Sequence, residues 1–220
     1  MGRCAVIPDI NVLVGPFKKI ERDTCDPQSL ELLTYCADRE ILFADQEIVD
    51  VAVDKCKAWR RENKVHYVNF KRIVDRVNTR IFFSLEHIDR YAREIAEIYQ
   101  KGGFTDECQK LKKFTVEAPP RFHSIAQELY ESSLSQEDWT KLKTKMSVPE
   151  LGDLRLLGYA VLLQQKYQYP VFVASNDSHI VRTEHNKQIM GEIESTYDIK
   201  IGTPSSILEQ IKSFEIPIPY

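Results

Sequence analysis

The chain has 220 residues, 43% apolar and 29% charged, which describes one globular core with room for an appendage rather than a chain too polar to bury a core. No apolar run approaches the ~20 residues needed to cross a bilayer, and the N-terminus carries no charged-then-apolar leader, so export and membrane insertion are disfavoured. The net charge of -3 hides an uneven distribution: -4 over residues 1–58, +4 over 59–148 and -3 over 149–220.

In chain order, Cys4-Ala-Val-Ile7 reads as a short buried strand stopped by Pro8-Asp9, and Pro27 to Glu40 has a helical pattern through Leu30, Leu33, Tyr35 and Ala37. Ile41-Leu-Phe-Ala44 reads as a second strand, followed by a helix from Asp45 to about Arg61 with Ile48, Val51, Ala52 and Cys56 on its apolar face. Residues 62–148 show no convincing strand; Val68, Ile73, Val74, Val77 and Ile81 mark one helix face, and Ile88, Tyr91, Ala92, Ile95 and Tyr99 another. Further helices are expected at 105–114, 120–133 and 136–146. Alternation then resumes with a helix through Leu154, Leu157, Val161 and Leu162, the strand Val171-Phe-Val-Ala174, another helix, the strand-like Ile199-Lys-Ile201, and a final helix opened by Thr203-Pro204. Short apolar strands separated by helices predict a parallel sheet covered on both faces. The chain is therefore read as an α/β core, residues 1–58 and 147–220, interrupted by an all-helical insertion at 59–146.

The five cysteines form no CxxC pair for zinc or dithiol chemistry. Their odd number suits a reducing compartment, and the expected location is cytoplasmic. No GxxxxGK[ST] or GxGxxG loop offers nucleotide binding, and no Ser-His-Asp or Cys-His spacing offers nucleophilic catalysis.

What remains is acidic and sits at strand ends. Asp9 follows the first strand, Glu47 and Asp50 open the helix after the second, Glu150 and Asp153 open the helix after the insertion, and Asp177 follows the strand 171–174. In an open parallel sheet such positions converge on one rim, where ligands bind. Each acid taken alone is an ordinary helix cap. Carboxylates gathered within ~5 Å would repel one another by roughly 3 kcal/mol per pair, and a hard divalent cation relieves that repulsion. A sulfur-free acidic cluster fits Mg²⁺ or Mn²⁺.

Asp9-Ile-Asn11-Val-Leu13 after a strand, Gly152-Asp153 opening a helix, and Ser175-Asn-Asp177-Ser-His179-Ile180 after another strand resemble the successive acidic motifs of PIN-domain ribonucleases. The resemblance covers roughly residues 1–58 and 147–220. It implies a three-layer α/β fold with a central parallel sheet and metal-dependent hydrolysis of RNA phosphodiesters. On it, Asp9, Asp153 and Asp177 match the metal-binding aspartates, with Asn11 and Ser175 as supports. The second acid is Asp50 or, one turn earlier, Glu47. Glu150 shares the helical face of Asp153, and His179 follows Asp177 by two residues. A helical insertion in such a core is similar in layout to the small protein-only ribonuclease P enzymes, which points to processing of tRNA or rRNA.

The insertion supplies a reader for that substrate. Residues 55–80 hold nine basic residues against Glu62 and Asp75. Arg72, Arg76 and Arg80, flanked by Lys71, recur every four residues and on one helix form a stripe suited to RNA phosphates. Trp59, Tyr67 and Phe70 interleave with it as candidates for stacking or for the core. Three alternatives stay open at this level: a non-catalytic RNA-binding or assembly protein with a degenerate site, a toxin of the kind paired with an antitoxin, and a phosphoryl-transfer enzyme on a haloacid-dehalogenase-like fold. The last is weakened by Asn11 standing where a second aspartate is expected. Homo-oligomerisation and an unidentified protein partner are compatible with the sequence.

Overall fold

A computed structural model describes residues 4–17, 26–57, 64–101, 149, 151–177, 180–183 and 186–215. In chain order these form β1 (Ala5–Pro8), α1 (Ile10–Val14) with a 3-10 turn at Gly15–Phe17, α2 (Pro27–Asp38), α3 (Gln46–Lys57), α4 (Lys64–Val74), α5 (Leu85–Lys101), α6 (Leu151–Tyr167), β2 (Val171–Ala174), α7 (Lys187–Tyr197), β3 (Ile199–Gly202) and α8 (Pro204–Glu215). They fall into two compact units, one within Met1–Phe82, Gln168–Asp177 and Lys200–Tyr220, the other within Phe83–Tyr167 and Ser178–Ile199.

The first unit is built on a small sheet. β1 pairs with β2 in parallel, Ala5 opposite Val171 through Pro8 opposite Ala174, and β3 lies on the far side of β2. On the free edge of β1, Val6 N–H donates to Ile41 O and Phe43 N–H to Val6 O, and beyond that Asn78 N–H donates to Leu42 O. The expected strand 41–44 is therefore present only as isolated parallel bridges, Val6 with Leu42 and Phe43 with Asn78. Each of its two edges finds a partner for a residue or two, which is too little to build a ladder. Side by side the segments run Asn78, Leu42–Phe43, β1, β2, β3. The first segment of the chain is thus flanked by the second on one side and a much later one on the other, so the gap between β1 and β2 is the topological switch point, and ligands of open parallel sheets bind outside the carboxyl ends there.

Sequence chemistry explains the helices that frame it. Asp26 caps α2, its side chain accepting from Ser29 N–H, and Pro27 occupies the first turn, where its missing N–H costs nothing. α2 ends with Glu40 in the left-handed region (φ 57°) and Ile41 N–H donating to Cys36 O, which turns the chain onto the edge of β1. The apolar faces of α1 to α4 and α8 meet in one core with Val6, Phe172 and Ala174 of the sheet. Ala5, Ile7, Val171 and Val173 are equally buried, so the strands are covered on both faces, as their unbroken apolar runs require.

Two helices differ from expectation. On α3 the buried residues are Val49, Ala52 and Cys56, while Val51 is 41% exposed. α4 stops at Val74 instead of continuing to Ile81: the chain turns at Asp75–Arg76 and Asn78 leaves to bridge Phe43. Val-Asn-Thr is a poor helix sequence, and the Asn78 side chain accepts from Arg80 N–H (3.1 Å), a local turn that competes with the helix. α4 packs Phe70, Ile73 and Val74 into the same core as the sheet.

In the second unit α6 packs along α5. Gly158 makes that approach close, since a Cβ there would lie 2.7 Å from the carbonyl oxygen of Ile88. Arg155 forks onto Asp89 at 2.7 and 3.2 Å, and α7 ends at Asp198 in the left-handed region (φ 51°), which delivers β3. The helices expected at 105–114, 120–133 and 136–146 lie outside the described residues. Among the described residues no helix is long and apolar enough to cross a membrane.

Candidate functional site

Asp9 leaves the carboxyl end of β1, and Ser175, Asn176 and Asp177 leave the carboxyl end of β2 beside it, so both segments meet at the switch point. Asp9 N–H donates to Ala174 O (2.8 Å), which locks the two exits together. Asp9 occupies the cap position of α1, yet its side chain makes no cap hydrogen bond. Asp9 is 7% exposed, and its carboxylate is bound from the side instead: Ser175 Oγ donates to its Oδ2 at 2.9 Å and Asn11 Nδ2 at 3.4 Å. Ser175 Oγ in turn accepts from Asp177 N–H (2.9 Å), so the hydroxyl proton is committed to Asp9 and one serine orders both aspartates.

Burial pushes the Asp9 carboxyl above its ordinary value, the Ser175 hydroxyl pulls it part of the way back, and the charge of Asp177 pushes it up again. Among the described residues no Lys, Arg or His forms an ion pair with it. A buried carboxylate without a cation either takes a proton or is offset by a cation from outside the chain.

A third acid, Asp26 at the cap of α2, reaches this region and is not among the residues expected from the sequence. Asn176 Nδ2 donates to Asp26 Oδ2 (2.7 Å) and to Ser29 Oγ (3.3 Å), while Asp26 also accepts from Ser29 N–H (3.0 Å) and from the Ser29 hydroxyl. Burial pushes the Asp26 carboxyl up, but its hydrogen bonds from Ser29, Asn176 and Gln28 outweigh this and hold it below its ordinary value. The start of α2 is thereby fastened to the loop that carries Asp177. Asp26-Pro27 is visible in sequence as a helix start; its second partner, 150 residues away, is not.

Asp50 is exposed on α3 and accepts from Gln46 Nε2 (2.8 Å), and Glu47 is exposed, its N–H bonded to Asp45 Oδ1 (2.9 Å). Asp153 lies half-buried in the first turn of α6, in the second unit. Glu150, His179 and Trp59 lie outside the described residues. Arg72, Arg76, Arg80 and Lys71 do not form one helical stripe: Lys71 and Arg72 are in the last turn of α4, Arg76 is in the turn that follows, and Arg80 is past the Asn78 bridge. Arg76 pairs with Asp38, and Lys71 with Asp75 at 2.8 Å. Phe70 is core, its ring 5.6 Å from that of Phe17 in an edge-to-face contact.

Among the described residues no group of three or more His, Cys, Asp or Glu side chains is gathered as a metal site. Among the described residues the side-chain groups bonded to Asp9 are nonetheless a hydroxyl and an amide, Ser175 Oγ and Asn11 Nδ2, and Mg²⁺ commonly takes only one or two carboxylates and keeps water for the rest of its shell. Those residues suit such an ion. In comparisons with protein-family models, curated proteins and solved structures, nothing matches the chain.

Proposed function

We propose that the chain is a metal-dependent ribonuclease with a PIN-like three-layer core, hydrolysing RNA phosphodiester bonds at the carboxyl edge of its sheet. The observation that carries this reading is Asp9: a buried carboxylate at the switch point, repelled by Asp177, bridged to it by Ser175, and given no cation by the described residues. Asp9 and Asp177 hold Mg²⁺ or Mn²⁺, which when bound activates water and offsets charge on the scissile phosphate and leaving oxygen. Asn11 and Ser175 keep the Asp9 oxygens oriented, and Asp26 with Ser29 anchors the Asp177 loop through Asn176. Asp153 lies on the second unit and enters the proposal through its sequence position alone.

The exposed positions of Asp50 and Glu47 favour a second reading in which the fold binds RNA without cutting it. Calorimetric titration with Mn²⁺ separates the two. The wild type is expected to bind, and Asp9→Asn combined with Asp177→Asn to abolish binding together with cleavage of a labelled RNA, the fold remaining intact by circular dichroism. Undiminished Mn²⁺ binding in the double variant would overturn the proposal; RNA binding without metal binding in the wild type would favour the second reading.

A further inference from the structure

Away from the acidic edge, the first unit holds a cavity of about 320 Å³ between α2, the 3-10 turn and α4. Its floor is apolar and fixed: Phe17, Ala37 and Ile73 are all buried. Its rim is basic, with Arg72 and Arg76 one helical turn apart in sequence. Asp38 pairs with Arg76, whereas no carboxylate among the described residues pairs with Arg72, so one guanidinium at the rim is available to an anion. Thr34 and Asn69 place exposed hydrogen-bonding groups in the same wall. An apolar cavity with a few polar groups is the usual form of a small-ligand site, and this volume is at the small end of the ~300–1,000 Å³ range.

We infer that this cavity binds one nucleotide unit of RNA, its phosphate on the Arg72 guanidinium and its base against the apolar floor. Guanidinium groups match phosphate oxygens in a two-point fork, and a base needs both a flat apolar surface and donors or acceptors at its edge, which Thr34, Asn69 and the Asp38–Arg76 pair provide. A bare anion would not need the floor, and a purely apolar ligand would not need the arginines. The cavity also adjoins the acidic site along α2: Leu30, in its wall, directly follows Ser29, which binds Asn176. One helix therefore carries the Asp177 anchor at its start and the nucleotide cavity along its length. The identity of the polymer rests on the ribonuclease reading; the cavity itself does not.

The test is an NMR titration of the full chain in EDTA with each ribonucleoside monophosphate, with inorganic phosphate and with the free nucleosides. At least one monophosphate is expected to shift the amides of Thr34, Asn69 and Ile73 saturably at millimolar concentration or below, more tightly than phosphate or nucleoside alone. Arg72→Gln should weaken it by about ten- to hundredfold, the loss expected for a charge-assisted hydrogen bond. Thr34→Trp, at an exposed position, should block the cavity without disturbing the core. The absence of saturable shifts at these amides, wild-type affinity in both variants, or phosphate binding as tightly as every monophosphate would overturn the inference. Because no divalent ion is present, a chain that binds monophosphate here but no Mn²⁺ elsewhere loses the nuclease reading and keeps the cavity.

Discussion

Asp9 and Asp26 are both aspartates at the starts of helices, and their surroundings drive them in opposite directions. Asp9 is buried beside another acid, so its folded-state pKa lies above the unfolded one; the chain gains stability from its protonated form at low pH and loses that gain as pH rises from about 4 through the raised value. Asp26 is held below its ordinary value, so its contribution is present above about pH 4 and is lost as pH falls through the depressed value. Thermal melts should therefore respond oppositely to Asp9→Asn, which raises Tm at neutral pH without metal, and Asp26→Asn, which lowers it there. An Asp9→Asn melt equal to wild type at neutral pH in EDTA would contradict the burial argument, and Mg²⁺ should narrow the gap by stabilising the wild type alone. Ser175→Ala removes the hydroxyl that serves both Asp9 and Asp177 N–H and should cost about 1–3 kcal/mol in urea unfolding, because a buried carboxylate and a partly buried amide each lose a partner.

At the scale of elements, the parts legible in the sequence are those fixed by local chemistry. Four-residue apolar runs ended by Pro8-Asp9 and by Ser175-Asn176-Asp177 name β1 and β2 and place Asp9, Ser175 and Asp177 at strand ends, where the structure has them. Pro27 marks the start of α2 for the same reason. What could not be read depends on partners distant in the chain. Leu42 and Phe43 bridge rather than form a strand because their outer neighbour is the single residue Asn78, and α4 ends at Val74 because that neighbour is drawn out of helical periodicity. Asp26 and Asn176 reveal their joint role only when α2 and the β2 exit meet. Gly158 is a comparable case in the second unit: a glycine inside a helix lowers its propensity, yet here it admits the α5 backbone. Gly158→Ala should cost about 1–3 kcal/mol despite alanine's better helix propensity, since both Ile88 O and Ala92 N are main-chain atoms that do not yield as a side chain would. Stability unchanged or raised in denaturant titration would show that the two helices slide apart at little cost.

For the molecule as a whole, the basic middle of an otherwise acidic chain has to be reconciled with the loss of the arginine stripe. With Arg72 at the end of α4, Arg76 engaged by Asp38 and Arg80 beyond the Asn78 bridge, the three side chains depart from three different backbone settings, so they can follow a bent strand but cannot grip a straight one along a single helix face. Their contributions should differ accordingly. Each phosphate contact on a single strand adds about 0.7 to the slope of log affinity against log salt. Arg72→Ala with Arg80→Ala should therefore flatten the slope for RNA by roughly 1.4. Adding Arg76→Ala should bring the total to roughly 2 only where Arg76 exchanges Asp38 for phosphate; a third substitution without further effect would mean that the ion pair persists in the complex. Mn²⁺ affinity should be unaltered in these variants, since none of the three side chains is bonded to Asp9 or Asp177 in the structure. If the double variant binds RNA with the wild-type slope, the polyanion does not pass over the end of α4, and the positive charge of residues 59–148 must be explained by a contact other than RNA.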